Sequence, residues 1–292
     1  MSADTQDTAV RTTRFTRVFI YGLLILFAAY YMMPLFVMIV NSLKPLSEIT
    51  SGNMMALPTV WTLEPWRQAW SSAQIGIEPT GLKPYFVNSL LVVVPAVFIS
   101  TVIGAMNGYV LTKWRFRGDT LVFGALLFSC FIPFQIVLIP MAVILGKIGI
   151  AGSIPGLVLV HVVYGIGFTT LYYRNYYAVF PTELVHAAQI DGAGFFRTFW
   201  RIMLPISGPI TVVSVIWQFT NIWNDFLFGA SFGGQQQPMT VALNNLVQSS
   251  TGVKEYNVHF AGAILAALPT LLVYIVAGRY FVRGLMAGSV KG

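Results

Sequence analysis

The chain has 292 residues, of which 56% are hydrophobic and only 9% charged, with a mean hydropathy of +0.73. That composition belongs to helical membrane proteins and excludes an ordinary soluble domain. The net charge of +7 is accounted for by basic flanks of membrane spans facing anionic lipid, so no nucleic-acid partner is expected.

Six runs are long and apolar enough to cross roughly 30 Å of hydrocarbon, and they are taken in chain order. The first, 18–41, follows Arg11, Arg14 and Arg17 and is too long for a cleaved signal peptide. A polar stretch follows, in which Leu63, Trp66, Ala69 and Trp70 fall on one helical face. The second span, 85–111, ends in the basic flank Lys113, Arg115 and Arg117. The third, 121–145, contains Pro133, Gln135 and Pro140, which are expected to break it mid-membrane and free backbone carbonyls. It also holds Cys130, the single cysteine, so no disulfide within the chain is possible. The fourth, 155–178, carries His161, for which a hydrogen bond to a neighbouring helix is the expected role. The fifth is 209–228 and the sixth 260–282, with a further amphipathic segment at 238–248 between them. The basic residues fall mostly on one side of this arrangement, which places both termini and the segment 181–209 in the cytoplasm.

The expected fold is an all-α membrane protein of one domain, a six-span body at 18–283 flanked by cytoplasmic tails at 1–17 and 284–292. The segment 181–209 reads as a helix-turn-helix knob. Thr182 can cap a short helix on which Leu184, Ala187, Ala188 and Asp191 share a face, and Gly192 stops it. A second helix then places Phe195, Phe199 and Ile202 at helical spacing, with Pro205 ending the run.

No G-x-x-x-x-G-K-S/T loop exists to cradle ATP phosphates, and His161, His186 and His259 have neither zinc-ligand nor catalytic-triad spacing. Catalytic residues and metal ligands are therefore not expected. Transport chemistry should instead show as polar residues inside spans. The fifth span supplies Trp217, Gln218, Asn221, Asn224 and Asp225 at roughly helical spacing, and the third adds Gln135. Amides and indoles suit a neutral polyhydroxylated ligand, since amides donate to and accept from hydroxyls while rings stack on sugar faces. Glue between helices is the equal alternative for this stripe. A rival mechanism would use Asp225 as the ion site of a secondary transporter.

The knob resembles the cytoplasmic coupling loop of ABC-importer permeases, whose pattern runs E-A-A, D-G-A, then F-x-x-I-x-L-P-x-x-x-P. Ala187, Ala188, Asp191, Gly192, Ala193, Phe199, Ile202, Leu204, Pro205 and Pro209 match it. His186 departs from it, standing where the family has glutamate, while Glu183 and Asp191 supply acidity on the same knob. Other features resemble the carbohydrate branch, specifically its maltose-permease-like second subunit: Phe86, Asn88 and Ser89, then Pro133, Gln135 and Pro140, then Trp223 to Phe226, and the glycine-containing basic end from Arg279 to Gly292. The resemblance implies a type I importer of the bacterial inner membrane that takes up a neutral sugar, a monosaccharide such as glucose or a disaccharide. Its implied partners are a second permease subunit, an ATPase dimer and an extracytoplasmic sugar-binding protein, with ATP and Mg bound by the ATPase and no cofactor in this chain. It further implies that Gly284, Gly288 and Lys291 form a signalling tail reaching the ATPase interface.

Overall fold

The computed structural model describes residues 14–248 and 254–289. Helix α1 (Arg14–Ser42) is followed by two short helices, α2 (Leu46–Ser51) and α3 (Glu64–Ser71), and then by α4 (Lys83–Lys113). Next come α5 (Asp119–Ser129), α6 (Phe134–Lys147) and α7 (Ile154–Ala178). The knob comprises α8 (Glu183–Ile190), α9 (Phe195–Thr198), a π-helical stretch (Phe199–Met203) and α10 (Leu204–Ile206). The chain ends in α11 (Gly208–Trp223), α12 (Leu227–Phe232), α13 (Met239–Gln248) and α14 (Tyr256–Ser289).

Four of these helices are long and apolar enough to cross a membrane, and six spans are reached if each of two sharply bent helix pairs counts as one. The third predicted span is one such pair, α5 and α6 meeting at 103°. Only Pro133 breaks it, standing just before α6, whereas Pro140 lies inside α6. Proline at a helix start loses no hydrogen bond, so the break falls there at no cost to α6. The fifth predicted span is also corrected: α11 ends at Trp223, and Asn224 to Phe226 form a break before α12. The outer limits of the predicted body fall within helices, because α1 begins at Arg14 and α14 continues to Ser289. Gly284 and Gly288 thus lie on helical backbone, while Lys291 lies outside the described residues.

The bundle is organised around the seam between α4 and α7, the most extensive helix pair in the structure. Gly104 and Gly108 are one helical turn apart on α4. A Cβ added at Gly104 would stand 2.3 Å from Thr169 Oγ1, and one at Gly108 would stand 2.7 Å from the Arg174 backbone nitrogen. Small residues at this spacing let two backbones approach closely, which is how helices associate where lipid removes any hydrophobic drive. Polar side chains then tie the seam: Thr169 Oγ1 donates to Ser100 O at 2.9 Å and Asn107 Nδ2 to Thr170 Oγ1 at 3.1 Å. Beside the seam, buried Val92, Ala96, Val160, Ile222 and Trp223 form the main apolar core, and Trp223 Nε1 donates to Ala266 O on α14 at 2.8 Å.

The expected face on α3 is partly corrected. Ala69 is buried and Trp66 Nε1 donates to Ser42 Oγ at 3.2 Å, but Leu63 is exposed. Helix α3 therefore packs against the ends of its own spans. Asn88 and Ser89 at the start of α4 clasp the segment before α13, through Asn88 Nδ2 to Gln237 O and Met239 N to Ser89 Oγ.

Candidate functional site

Two regions hold the predicted functional residues, the knob and a cavity near the far end of α11. In the knob, α8 closes through the backbone. Gly192 N–H donates to Gln189 O at 3.0 Å and Ala193 N–H to Ala188 O at 2.8 Å, with Gly192 at φ 75°. This pair of bonds is the Schellman arrangement, which needs a left-handed residue and so favours glycine. Thr182, expected to cap α8, holds the cap position but forms no side-chain cap bond, because its backbone is already helical there.

The run after the turn does not end at Pro205. It continues through Pro205 to Ile206, and the proline is accommodated by the π-helical stretch that precedes it. Proline cannot donate to the carbonyl four residues back and its ring crowds that carbonyl, so widening the helix beforehand relieves both problems.

The knob has an inner and an outer face. Inside, Val185, Phe199 and Met203 are buried with Tyr109, Tyr173 and Tyr177 from α4 and α7. The Tyr109 ring lies 5.1 Å from Phe195 and stacks on Phe199 at 6.0 Å. Hydrogen bonds fix this root: Trp114 Nε1 donates to the Tyr109 hydroxyl, Lys113 Nζ to Phe180 O, Tyr176 OH to Ile206 O at 3.0 Å and Tyr173 OH to Thr211 Oγ1 at 2.7 Å. Outside, Leu184, Ile190, Phe196 and Trp200 are exposed, Ile190 by 86% and Phe196 by 63%.

The predicted coupling residues divide between these faces. Glu183, His186, Ala187, Asp191, Gly192 and Pro205 are exposed, Ala193, Ile202 and Leu204 are half-buried, and Ala188 and Phe199 are buried within the knob. The expected face of Leu184, Ala187, Ala188 and Asp191 is thus corrected, for Ala188 points inward with Val185 while the other three are exposed. Sequence reasoning missed Ile190, Phe196 and Trp200. Their signal is present, since large apolar residues beside charged ones in a short capped helix are expensive unless something covers them.

The cavity is about 310 Å³. It lies where the α5–α6 break, the middle of α7 and the end of α11 converge, and Trp217, Gln218, Asn221 and Asp225 line it with His161, Tyr164 and Phe168. Gln135 and Asn224 are exposed and lie outside it. Aromatic rings line much of it. Phe168 lies 4.5 Å from Trp217, and Phe228 contacts Tyr164 at 5.2 Å, His161 at 5.5 Å and Phe134 at 5.9 Å.

Its polar groups are partly committed. Gln218 is only 2% exposed and donates to His161 O at 3.3 Å, fitting against Gly165, where an added Cβ would stand 1.9 Å from the amide nitrogen. Gln218 is therefore glue between α7 and α11. Asn221 is exposed and returns one N–H to Trp217 O at 2.8 Å, leaving its other N–H and its carbonyl oxygen for a ligand. Tyr164 OH donates to Ile132 O, a carbonyl freed by the α5–α6 break, at 2.9 Å. His161, Tyr164 and Phe168 were not assigned to the cavity from sequence, because their positions inside an apolar span do not reveal which neighbour they face. Among the described residues, no group of three or more His, Cys, Asp or Glu side chains could hold a metal ion.

A protein family described as binding-protein-dependent transport system inner membrane component matches residues 100–285. The chain belongs to that family. It is thus a membrane component of a transporter and not its catalytic subunit. A probable ABC transporter permease protein of Pyrococcus horikoshii is 38% identical to this permease over 280 residues, covering 95% of this chain and 98% of that protein. The diacetylchitobiose uptake system permease protein NgcG of Streptomyces coelicolor is 30% identical over 93% of this chain and 88% of its own. The xylose/arabinose import permease protein XacI of Haloferax volcanii is 30% identical over 94% of both chains. A chain from the crystal structure of a bacterial ABC transporter involved in import of the acidic polysaccharide alginate matches the permease with a TM-score of 0.79, at 19% identity over 92% of this chain and 99% of that one. That likeness establishes the type I importer permease fold.

Proposed function

We propose that this permease forms half of the translocation pathway of an ATP-driven importer for a neutral sugar, with a second permease subunit as the other half. One observation carries the reading: α11 is rooted in the knob at Gly208 and ends beside the cavity at Trp223, so a single helix joins the two regions. An ATPase dimer bound to the outer face of the knob would cover Ile190, Phe196 and Trp200 and move α11 as a lever. An extracytoplasmic binding protein would deliver sugar from the opposite end, with both termini of this chain cytoplasmic. At the cavity, Trp217 and Phe168 offer ring faces to a sugar and Asn221 offers hydrogen bonds to its hydroxyls.

The relatives support a sugar cargo through their names, which specify diacetylchitobiose and xylose or arabinose. A cavity of about 310 Å³ suits one or two sugar rings. The tail carrying Gly284, Gly288 and Lys291 would report to the ATPase interface, and ATP and Mg would bind the ATPase. Ion coupling at Asp225 has no support among the relatives.

The test is to purify the chain alone and with its operon partners and to measure ATP turnover and sugar uptake in vesicles. ATP-dependent uptake by the complex, with no turnover by the isolated chain, is expected. Turnover by the isolated chain, or uptake that survives loss of the ATPase, would overturn the reading.

A further inference from the structure

The break between α11 and α12 places a carboxylate at the cavity, and its geometry says what that carboxylate is for. Asp225 Oδ1 accepts from Phe228 N at 3.3 Å and Oδ2 from Gly229 N at 3.0 Å, so both oxygens are bonded to the first turn of α12. The Asp225 carbonyl accepts from Thr240 Oγ1 at the start of α13. Helix α12 has six residues. A helix that short does not persist without external support, and an N-cap supplies part of it. The remaining support is tight packing, since a Cβ at Gly229 would stand 2.4 Å from Pro238 Cγ.

What α12 presents to the cavity is Phe228, whose ring meets Phe134 from α6 and His161 and Tyr164 from α7. His161 Nε2 is 3.8 Å from Asp225 Oδ2, too long for a hydrogen bond, and the Asp225 side chain is 16% exposed. The carboxylate therefore faces the ring wall more than the open space.

We propose that Asp225 is a positioning residue of the transport pathway: by capping α12 it sets Phe228 as a fixed wall of the cavity, and it neither contacts the sugar nor carries a coupling ion. This rests on the sugar-pathway reading above. It assigns the cap to the Asp225 carboxylate, the specificity surface to the Phe228 ring, and sugar contact to the Trp217 and Asn221 side. Asparagine keeps one of the two cap bonds through its single amide oxygen, and alanine keeps neither. The charge can thereby be removed while one cap bond is kept.

The experiment uses the full importer complex in vesicles, with radiolabelled glucose, xylose and diacetylchitobiose as probes and ATP enclosed. For whichever probe the unaltered complex imports, D225N raises the half-saturating concentration by no more than about threefold, because one of the two cap bonds survives. D225A and F228A each raise it about tenfold while the maximal rate changes less, and D225A/F228A is no worse than either alone, since both act through one wall. An imposed proton or sodium gradient leaves uptake by D225N unchanged relative to the unaltered complex. The proposal is overturned if D225N behaves like D225A, or if the two losses multiply in the double variant. Should D225A fail to accumulate in the membrane, D225N and F228A still decide it: loss in D225N with F228A unaffected rejects the positioning role. If a probe enters the unaltered complex without ATP and only under an imposed ion gradient, the ATP-driven reading fails, while the comparison of D225N with D225A on that probe still decides the positioning role.

Discussion

The α4–α7 seam and the α11–α12 junction are both helix contacts dressed with polar side chains, yet they are built in opposite ways. At the seam, Gly104 and Gly108 remove side-chain bulk so that the backbones of two unbroken helices touch, and Thr169 closes on Ser100 O. At the junction, the helix is interrupted, an aspartate restarts it, and a cavity of about 310 Å³ opens beside the break. Close backbone packing transmits force with little give, because any separation loses many small dispersion contacts together. A broken helix with a void beside it can shift without that loss. The knob is fastened to the stiff region through Tyr109, Tyr173 and Tyr177, while α11 runs from the knob to the compliant one. Motion imposed on the knob would therefore be resisted at the seam and expressed at the cavity.

The largest effect should come from spoiling the seam. Gly108→Leu places a side chain where even a Cβ would stand 2.7 Å from the Arg174 backbone nitrogen and from the Tyr173 Cβ. Backbone cannot yield as a flexible side chain can, so overpacking should cost about 3 kcal/mol or more. The expected outcome is a chain that fails to accumulate in the membrane, measured by quantitative blotting against the unaltered protein. Normal accumulation and uptake would show that the seam is not the stiff region. By contrast, Gly165→Ala at the α7–α11 contact beside the cavity displaces only the Gln218 amide, the end of a flexible side chain, and should leave accumulation intact.

A smaller, local effect is expected at the knob. Gly192 lies at φ 75° with open space where a Cβ would go, so Gly192→Val brings backbone strain without a clash, about 1–2 kcal/mol. The membrane body should form normally while the ATPase no longer co-purifies. Retained ATPase with normal uptake would mean that the turn tolerates a β-branched residue and that the outer face, not the Schellman turn, governs docking.

How much of this was legible before any coordinates follows the same division. Regular helices such as α4 and α7 announce themselves by length and apolar composition, and the turn at Gly192 by its place after a short amphipathic run. Breaks were read less well. Pro133 and Pro140 look alike in sequence, and only the structure separates the one that starts a helix from the one inside it. The stripe from Trp217 to Asp225 has helical spacing almost throughout, so nothing local announces that Asp225 bonds forward to Phe228 and Gly229 rather than standing on the last turn of α11. The inner partners of the cavity, His161, Tyr164 and Phe168, depend on which helix lies opposite, and periodicity alone cannot supply that. The spacing of Gly104 and Gly108 was a readable sign of a close helix seam, though it does not name the partner helix.

The smallest expected effect lies outside the membrane body, in the segment joining α1 to α4, where a third style of contact appears. The Glu48 carboxyl is held below the usual carboxylate range, first by the hydrogen bond from the Thr59 hydroxyl and then by the backbone N–H groups of Thr59 and Val60, against the opposing effect of desolvation. A carboxylate whose pKa is depressed on folding stabilises the folded segment above its unfolded pKa, and that stabilisation is lost as pH falls through the folded value. Acidification below the ordinary carboxylate range should therefore loosen the Thr59–Val60 segment from α2, read as faster amide exchange at those two residues. Glu48→Gln removes the ionisation, so exchange at Thr59 and Val60 should become nearly independent of pH once the intrinsic dependence is divided out. Because Glu48 is solvent-accessible, the change should stay local and leave uptake untouched. Exchange that remains pH-dependent in Glu48→Gln would assign the effect to another group, and a change in uptake would tie this outer segment to the lever of the knob and α11 rather than leave it a separate clasp.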